Sequence, residues 1–243
     1  MTRYYTRACN FYYGKESKIL LRKKETLPLN GLQEISFDHI EIFTRKSKKK
    51  IFIKDVKKLS KSLQKKIIFD LKKITSKNKN FSNLNFQKLP NIMGVLNLTP
   101  DSFSDGGKFN KTNKGIKHAF EMISAGANLI DVGGESTRPG SKTVNPKNEW
   151  NRIYRILRLV CNKAPVSLDT RKSEIMEKGI KLGIKIINDV SGLNYDKRTL
   201  DILRKYQIPF VIQHSKGTPE NMQIKPTYKN ELLDIYDFFE KKI

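Results

Sequence analysis

The stretch LIDVGGESTRPG, residues 129–140, passes from a short apolar run directly into a polar segment that contains glycine. An apolar run of this length next to turn residues is typical of a buried strand in a parallel sheet. Comparable runs, each followed by a segment with helical spacing of its apolar residues, occur at Ile92–Leu96, Val166–Leu168, Lys185–Ile187 and Pro209–Ile212. The pattern predicts five successive βα units.

The segments that follow these runs predict helices near Lys114–Ala125, Pro146–Cys161, Lys172–Leu182, Lys197–Tyr206 and Asn230–Ile243. Every apolar run ends in polar residues on its carboxyl side. In a barrel of parallel strands these ends meet at one mouth, where the loops build the active site. No glycine motif for a dinucleotide or a P-loop begins any helix, which disfavours an open doubly wound sheet. We therefore predict an α/β fold of the (β/α)8 TIM-barrel type.

The first third of the chain differs in charge from the rest. The chain has a net charge of +24; residues 1–90 carry 23 basic and 7 acidic residues, and residues 91–243 carry 25 and 17. We predict a basic N-terminal extension at 1–89, a small β plus α module, and a barrel domain at 90–243. Residues 38–45 (DHIEIFTR) alternate like a strand, Val56–Ile74 has helical spacing, and the Asn-rich 76–85 resembles a linker.

The excess charge has two interpretations. The basic residues could neutralise a polyanion, with Arg45, Lys46 and Lys48–Lys50 as the candidates, or they could simply fill solvated faces. No aromatic stacking platform or recognition-helix pattern accompanies the basic run, so the second interpretation is favoured and nucleic acid is disfavoured as a partner.

Composition also bears on location. No run of about 18 apolar residues occurs and the N-terminus lacks the pattern of a secretory signal, so we expect neither a membrane partner nor export. The two cysteines, Cys9 and Cys161, are far apart and form no metal-binding motif. The expected compartment is the cytoplasm.

Two long segments resemble the signature segments of the dihydropteroate synthase family: NIMGVLNLTPDSFSDGG at 91–107 and DVGGESTRPG at 131–140. Shorter segments follow in that family's order: VSLDT at 166–170, IINDVSG at 186–192 and QHSKGTPENMQ at 213–223. The resemblance covers residues 91–243. It implies a (β/α)8 barrel and a transferase that joins 4-aminobenzoate to 6-hydroxymethyl-7,8-dihydropterin diphosphate, which gives 7,8-dihydropteroate and diphosphate for folate biosynthesis.

The resemblance also implies roles for individual residues. Asn97 would hold Mg2+, the expected cofactor, beside the diphosphate, and Asp169 and Asn188 would bind the edge of the pterin. The second signature segment would place Thr137 and Arg138 near the pterin and the substrate chain. The 4-aminobenzoate would be enclosed by Asp101, Phe103 and Pro139. Asp169 would take part in catalysis, and Asp101 could steer the amine or accept its proton. The full-length form would be a homodimer.

The chemistry explains these residue types independently of the family. Departure of diphosphate from the pterin methylene leaves a delocalised cation, so the site needs a metal on the leaving group and a fixed negative charge near the ring. The aromatic amine is already nucleophilic, so no activated Ser or Cys is needed. Structural roles remain open for the same residues: Asn97 and Asp101 could cap a turn, Asp169 could begin a helix, and Asn188 could be a core amide.

The sequence departs from the family's pattern in one respect. A (β/α)8 barrel usually occupies about 250 residues, and no segment of this chain matches the family's later DPG, SRK and RVHD motifs. We therefore expect a barrel truncated after the fifth βα unit, inactive by itself, with Val95, Val132 and Ile187 exposed to water. Two alternatives are a catalytically dead pterin-binding fragment attached to a nucleic-acid or protein-binding module, and a pseudoenzyme that still binds pterin.

Overall fold

The structure is a computed structural model that describes residues 2–77, 80, 84, 90–99, 111–136, 138, 140–217 and 227–242. It divides into two compact units. The first comprises Met1–Asn80 and Phe86–Leu89, and the second comprises Phe81–Asn85 and Pro90–Ile243.

The first unit is built on an antiparallel sheet with β3 at its centre. β1 pairs along the whole of one edge of β3, while β2 and β4 pair with different parts of the other edge. The elements are β1 (Tyr5–Tyr13), α1 (Gly14–Arg22), β2 (Leu27–Pro28), β3 (Ile35–Phe43), β4 (Lys48–Phe52) and α2 (Lys61–Thr75). Phe37, Ile40 and Ile67 are completely buried between the sheet and α2.

The predicted helix over Val56–Ile74 is wrong at its start. Residues Ile53–Lys58 form a 3₁₀ helix that buries Val56, and α2 begins only at Lys61. Leu59 and Ser60 lie between the two helices with extended backbone, at ψ 159° and 146°. The periodicity of the apolar residues continued across this break because both segments bury their apolar side chains in the same core.

The second unit contains a sheet of five parallel strands in the order β5-β6-β7-β8-β9. A strand order that follows the chain order without reversal is that of a barrel wall, whereas a doubly wound sheet reverses at a switch point. The strands are β5 (Met93–Asn97), β6 (Leu129–Gly133), β7 (Val166–Asp169), β8 (Ile186–Asp189) and β9 (Phe210–Ile212). The helices are α3 (Lys111–Ser124), α4 (Pro146–Val160), α5 (Ser173–Lys181), α6 (Thr199–Tyr206) and α7 (Glu231–Lys242). All five predicted βα units are confirmed.

The two faces of this sheet have different environments. Leu96, Val132 and Ile187 pack in one core with residues of α3 to α6 and are at most 1% exposed. The expectation that Val132 and Ile187 would be exposed is therefore wrong, because both point toward the helices. Val95 lies at the next position of the alternation and is 53% exposed, as expected.

Close packing of α5 against β7 depends on Gly179. A Cβ atom at this position would lie 2.4 Å from Cδ2 of Leu168 and 3.3 Å from Cδ1 of Ile184. Leu168 is completely buried and immediately precedes Asp169. The absence of a side chain at Gly179 therefore helps to set the position of the strand end that carries Asp169.

We expect Gly179→Ala to destabilise the second unit despite the better helix propensity of alanine. The propensity gain is about 0.5–1 kcal/mol, whereas overpacking a close-packed core costs about 1–3 kcal/mol. The denaturant midpoint should fall, while Lys178→Ala, at the half-exposed neighbouring position of the same helix, should change it little. An unchanged or raised midpoint for Gly179→Ala would show that Leu168 repacks freely.

Candidate active site

Three of the sequence-predicted site residues lie side by side at the carboxyl ends of the strands. In the strand register Asn97 of β5 pairs with Gly133 of β6, Gly133 with Asp169 of β7, and Asp169 with Asn188 of β8. A Cβ atom on Gly133 would lie 3.1 Å from Oδ1 of Asn97 and 3.4 Å from Oδ2 of Asp169. Gly133 therefore leaves a gap between an amide oxygen and a carboxylate oxygen.

A buried carboxylate lies two residues before Gly133 on the same strand. Asp131 is only 5% exposed, and its Oδ2 accepts a hydrogen bond of 3.1 Å from Nδ2 of Asn188. Burial raises the pKa of Asp131, although hydrogen bonds with Ser167 and Asn188 act in the opposite direction. Its Oδ1 is buried and has no hydrogen-bond partner among the residues that the structure describes.

The Asp169 carboxyl group is in an even less favourable environment for ionisation. Burial, followed by the nearby carboxylates of Asp131, Glu149, Asp189 and Glu135, raises the pKa of Asp169 to about 8. No residue of the described ranges hydrogen-bonds its Oδ1. Asp169 therefore keeps its proton near pH 7 in the unliganded chain, and its environment would stabilise a positive charge placed beside it.

Behind these residues lies a buried network of two acids and two bases. Nζ of Lys172 is 2.8 Å from Oε1 of Glu135 and 2.5 Å from Oε2 of Glu149, and Nε of Arg171 is 2.9 Å from Oε2 of Glu135. All four side chains are at most 5% exposed. Burial opposes ionisation of Glu135, but the hydrogen bonds from Arg171 and Lys172 hold its pKa below the ordinary value.

This network connects the two loops that follow β6 and β7. Oε1 of Glu135 accepts a hydrogen bond from the backbone of Val144 at 2.7 Å, and Nη2 of Arg171 donates to Oγ1 of Thr143 at 3.0 Å. The hydroxyl of Thr170 donates to Oε1 of Glu149 at 2.6 Å. Both ends of the loop that contains the second signature segment are therefore fixed to the residues that follow Asp169.

The remaining predicted site residues divide into two groups. Arg138 is exposed in the loop after β6, where its backbone carbonyl accepts a hydrogen bond of 3.0 Å from Ser141. Four predictions lie outside the described residues: Asp101, Phe103, Thr137 and Pro139. Asp169 does not cap α5, because the residue at the N-cap position is Lys172 and no side chain caps that helix.

The sequence interpretation did not assign a role to Asp131 or to the network around Lys172. A carboxylate inside an otherwise apolar strand was a signal for Asp131. Lys172 and Glu149 are 23 residues apart and belong to a chain with 48 basic residues, so nothing in the sequence marked them as a pair.

The residues present fit a magnesium ion held mainly by its substrate. Mg2+ prefers oxygen ligands, keeps several waters and is usually bound through one or two side chains plus substrate phosphates. Asn97 is exposed, and its Oδ1 faces the gap left by Gly133. Within the described part of the chain no group of three or more His, Cys, Asp or Glu side chains could hold a metal, so a purely protein-held site is not found there.

Five parallel strands in chain order, with polar residues at their carboxyl ends, are typical of the (β/α)-barrel class of proteins. The chain belongs to the pterin-binding enzyme family, whose model matches residues 93–243. The dihydropteroate synthase of Neisseria meningitidis serogroup C is 42% identical over 157 residues, which are 63% of this chain and 55% of that protein. The resemblance inferred from the signature segments is confirmed.

Solved structures lead to the same fold. A Yersinia pestis dihydropteroate synthase in complex with a sulfonamide drug matches with a TM-score of 0.61 and 36% identity, over 68% of this chain and 60% of that one. A Xanthomonas albilineans dihydropteroate synthase with 4-aminobenzoic acid matches with a TM-score of 0.57 and 33% identity, over 63% and 54%. The predicted TIM-barrel type is confirmed, and the chain spans about half the length of the curated relatives that it matches. None of the described helices is long and apolar enough to cross a membrane.

We expect Lys172→Met to destabilise the second unit strongly, because it leaves Glu149 buried without a cation. Removing one partner of a buried ion pair costs about 3–5 kcal/mol. Lys178→Met is the matched control, since Lys178 forms a largely exposed pair with Glu174 at 2.6 Å, and such pairs contribute about 0–1 kcal/mol. Chemical denaturation checks this, and equal midpoints for the two variants would contradict it.

We expect Asp169→Asn to stabilise the chain at neutral pH. Asp169 has a pKa of about 8 in the folded chain and an ordinary value of 3.8, so between these pH values the unfolded chain has released a proton that the folded chain retains. Folding therefore becomes less favourable by about 1.4 kcal/mol per pH unit in this window, and the loss is constant above it.

The stabilisation by Asp169→Asn should thus be largest at and above about pH 8 and should vanish below about pH 4. Denaturation of both proteins at pH 4, 6 and 8 measures it. A difference that does not depend on pH would show that Asp169 titrates normally.

Proposed function

We propose that the chain contributes the pterin site of a dihydropteroate synthase, a transferase of folate biosynthesis. The substrates are 6-hydroxymethyl-7,8-dihydropterin diphosphate and 4-aminobenzoate. In the reaction the bond between the pterin methylene and the diphosphate oxygen breaks, a bond from the methylene to the amine nitrogen forms, and that nitrogen loses one proton. The observation that carries the proposal is that Asp131, Asp169 and Asn188 lie on one face of the sheet, at the strand ends and one layer below them.

The pterin ring matches this set chemically. Its amino and ring N–H groups are donors, while the keto group and the unprotonated ring nitrogens are acceptors. Asp169, protonated near neutral pH, offers one donor and one acceptor, and Asn188 offers its amide oxygen because its nitrogen is bonded to Asp131. Burying donors and acceptors without partners is costly, so a ligand that pairs with both groups gains affinity and specificity.

The charge of the site suits the departure of diphosphate. As the leaving group separates, positive charge develops on the pterin methylene and ring. Asp131 and the buried carboxyl group of Asp169 stabilise that charge, and the positive charge in turn favours the ionised form of Asp169. The amine of 4-aminobenzoate then attacks without an activated nucleophile of the protein.

Asn97 is proposed as the ligand of Mg2+, which supplies charge neutralisation to the leaving diphosphate. We assign Thr137 and Arg138 to the neighbourhood of the pterin and the substrate chain. Asp101, Phe103 and Pro139 are assigned to the enclosure of 4-aminobenzoate, with Asp101 as a group that steers the amine or accepts its proton. The relative from Xanthomonas albilineans, solved with 4-aminobenzoic acid, supports this second substrate.

We further propose a homodimer for the full-length form and a cytoplasmic location, in keeping with the free thiols of Cys9 and Cys161.

Binding of 6-hydroxymethyl-7,8-dihydropterin to the 243-residue chain tests the proposal, measured by fluorescence titration. Asn188→Ala should weaken binding by about tenfold or more, because it removes a hydrogen bond in a desolvated site. Asn162→Ala makes the same change at an exposed helix end, where the side chain donates to the carbonyl of Arg158, and should leave the affinity unchanged. Absence of saturable binding, or equal affinities for both variants, would contradict the proposed site.

A further inference from the structure

Asp131 lies one layer below the strand ends, in the middle of β6. It pairs in register with Ser167 of β7 and lies two residues before Gly133, which pairs with Asp169. Its neighbours Ile130 and Val132 are completely buried on the helix side. Asp131 is thus the carboxylate beneath the site, on the same face as Asn188, to which it is hydrogen-bonded.

The hydrogen bond fixes which end of the Asn188 amide faces Asp131. Oδ2 of Asp131 accepts a hydrogen bond from Nδ2 of Asn188 at 3.1 Å, so the amide nitrogen is the end that faces the carboxyl group. The carbonyl oxygen of Asn188 is therefore the end that remains for a ligand. Without Asp131 the amide could rotate and present either its nitrogen or its oxygen, because the two orientations occupy the same space.

Folding alone gives little reason for a carboxylate at this position. Asp131 is 5% exposed and its Oδ1 has no partner among the residues described. A buried carboxylate with an unsatisfied oxygen opposes folding, and an apolar side chain of similar size would avoid that cost. The residue is therefore better explained by what it does to Asn188 than by what it does for the core.

We propose that Asp131 is a positioning residue for substrate recognition, which holds the Asn188 carbonyl oxygen toward an N–H group on the edge of the pterin ring. This inference rests on the proposed function and adds to it a residue that does not itself touch the ligand. It also defines the ligand edge: the site takes an amino-oxo heterocycle with a hydrogen-bond donor at this position and rejects an analogue that presents an acceptor there.

The test separates positioning from stability by two substitutions at one site. Asp131→Leu removes the acceptor and keeps the same branched arrangement of side-chain heavy atoms, so the denaturant midpoint should stay the same or rise while the affinity for 6-hydroxymethyl-7,8-dihydropterin falls by about tenfold. Asp131→Asn keeps an oxygen that can accept from Asn188 and should retain most of the affinity. Asp201→Leu, the same change at an exposed position of α6, serves as the control.

Two further measurements connect the effect to Asn188. In the unliganded chain, the side-chain amide resonances of Asn188 should shift in Asp131→Leu and should not shift in the control. In an Asn188→Ala background, Asp131→Leu should cause no further loss of affinity, since residues that act through one another are not additive.

The outcomes distinguish this inference from the proposed function. Full affinity in Asp131→Leu, an unshifted Asn188 amide, or an undiminished effect of Asp131→Leu in the Asn188→Ala background would each overturn the positioning role. The proposed function would still stand in these cases, provided that Asn188→Ala alone weakens binding. If Asn188→Ala leaves the affinity intact, the pterin site itself is wrong and the inference fails with it.

Discussion

The buried charge of Lys172 is the constraint on which the arrangement of the site depends. Its ammonium group lies between Glu135 and Glu149, and together with Arg171 it makes the cluster neutral. Charges this deeply buried are stable only when they are paired and fully hydrogen-bonded, so the four side chains permit few positions of the backbone that carries them. That backbone is the loop after β6 and the turn after β7.

The same network determines the electrostatics next to Asp169. The cations of Lys172 and Arg171 are engaged by the glutamates behind the strand ends, and none of the contacts found in the described part of the chain directs them at Asp131 or Asp169. No cation found among these contacts therefore neutralises Asp131 or Asp169, and burial strengthens the interaction of their carboxyl groups with a positive charge placed beside them. The paired charges of Glu135, Glu149, Arg171 and Lys172 thus fix the loops. The carboxyl groups of Asp131 and Asp169 remain to stabilise a cationic transition state at the same barrel wall.

The sequence predicted the strands, the helices and the site residues at the strand ends, but it did not predict which buried charges pair. Both results have physical reasons. Strands and helices followed from the periodicity of apolar residues, which reflects burial on one face of each element. The family resemblance implied the roles of Asn97, Asp169 and Asn188, and their positions after apolar runs agreed with a site at the carboxyl ends of parallel strands. The break between the 3₁₀ helix and α2 was missed because periodicity does not register two extended residues when both sides pack in one core.

Pairing of distant charges has no local signature in sequence. Lys172 is one of 48 basic residues, yet its side chain is 5% exposed, and Glu149, in the first turn of α4, is completely buried. Asp131 begins the second signature segment and interrupts an apolar strand, but no role was assigned to it. Its hydrogen bond to Asn188 depends on the register of β6, β7 and β8, which is known only once the sheet is assembled.

Paired and unpaired buried acids have opposite consequences for the folded chain. Glu135 and Glu149 lose little by burial because cations accompany them, whereas Asp131 and Asp169 keep unsatisfied oxygens and raised pKa values. The second pair therefore opposes folding as long as the site is empty. A ligand that brings N–H donors and developing positive charge to these oxygens removes that cost when it binds. Part of the binding free energy then appears as stabilisation of the fold, because any ligand that binds only the folded state shifts the unfolding equilibrium toward it.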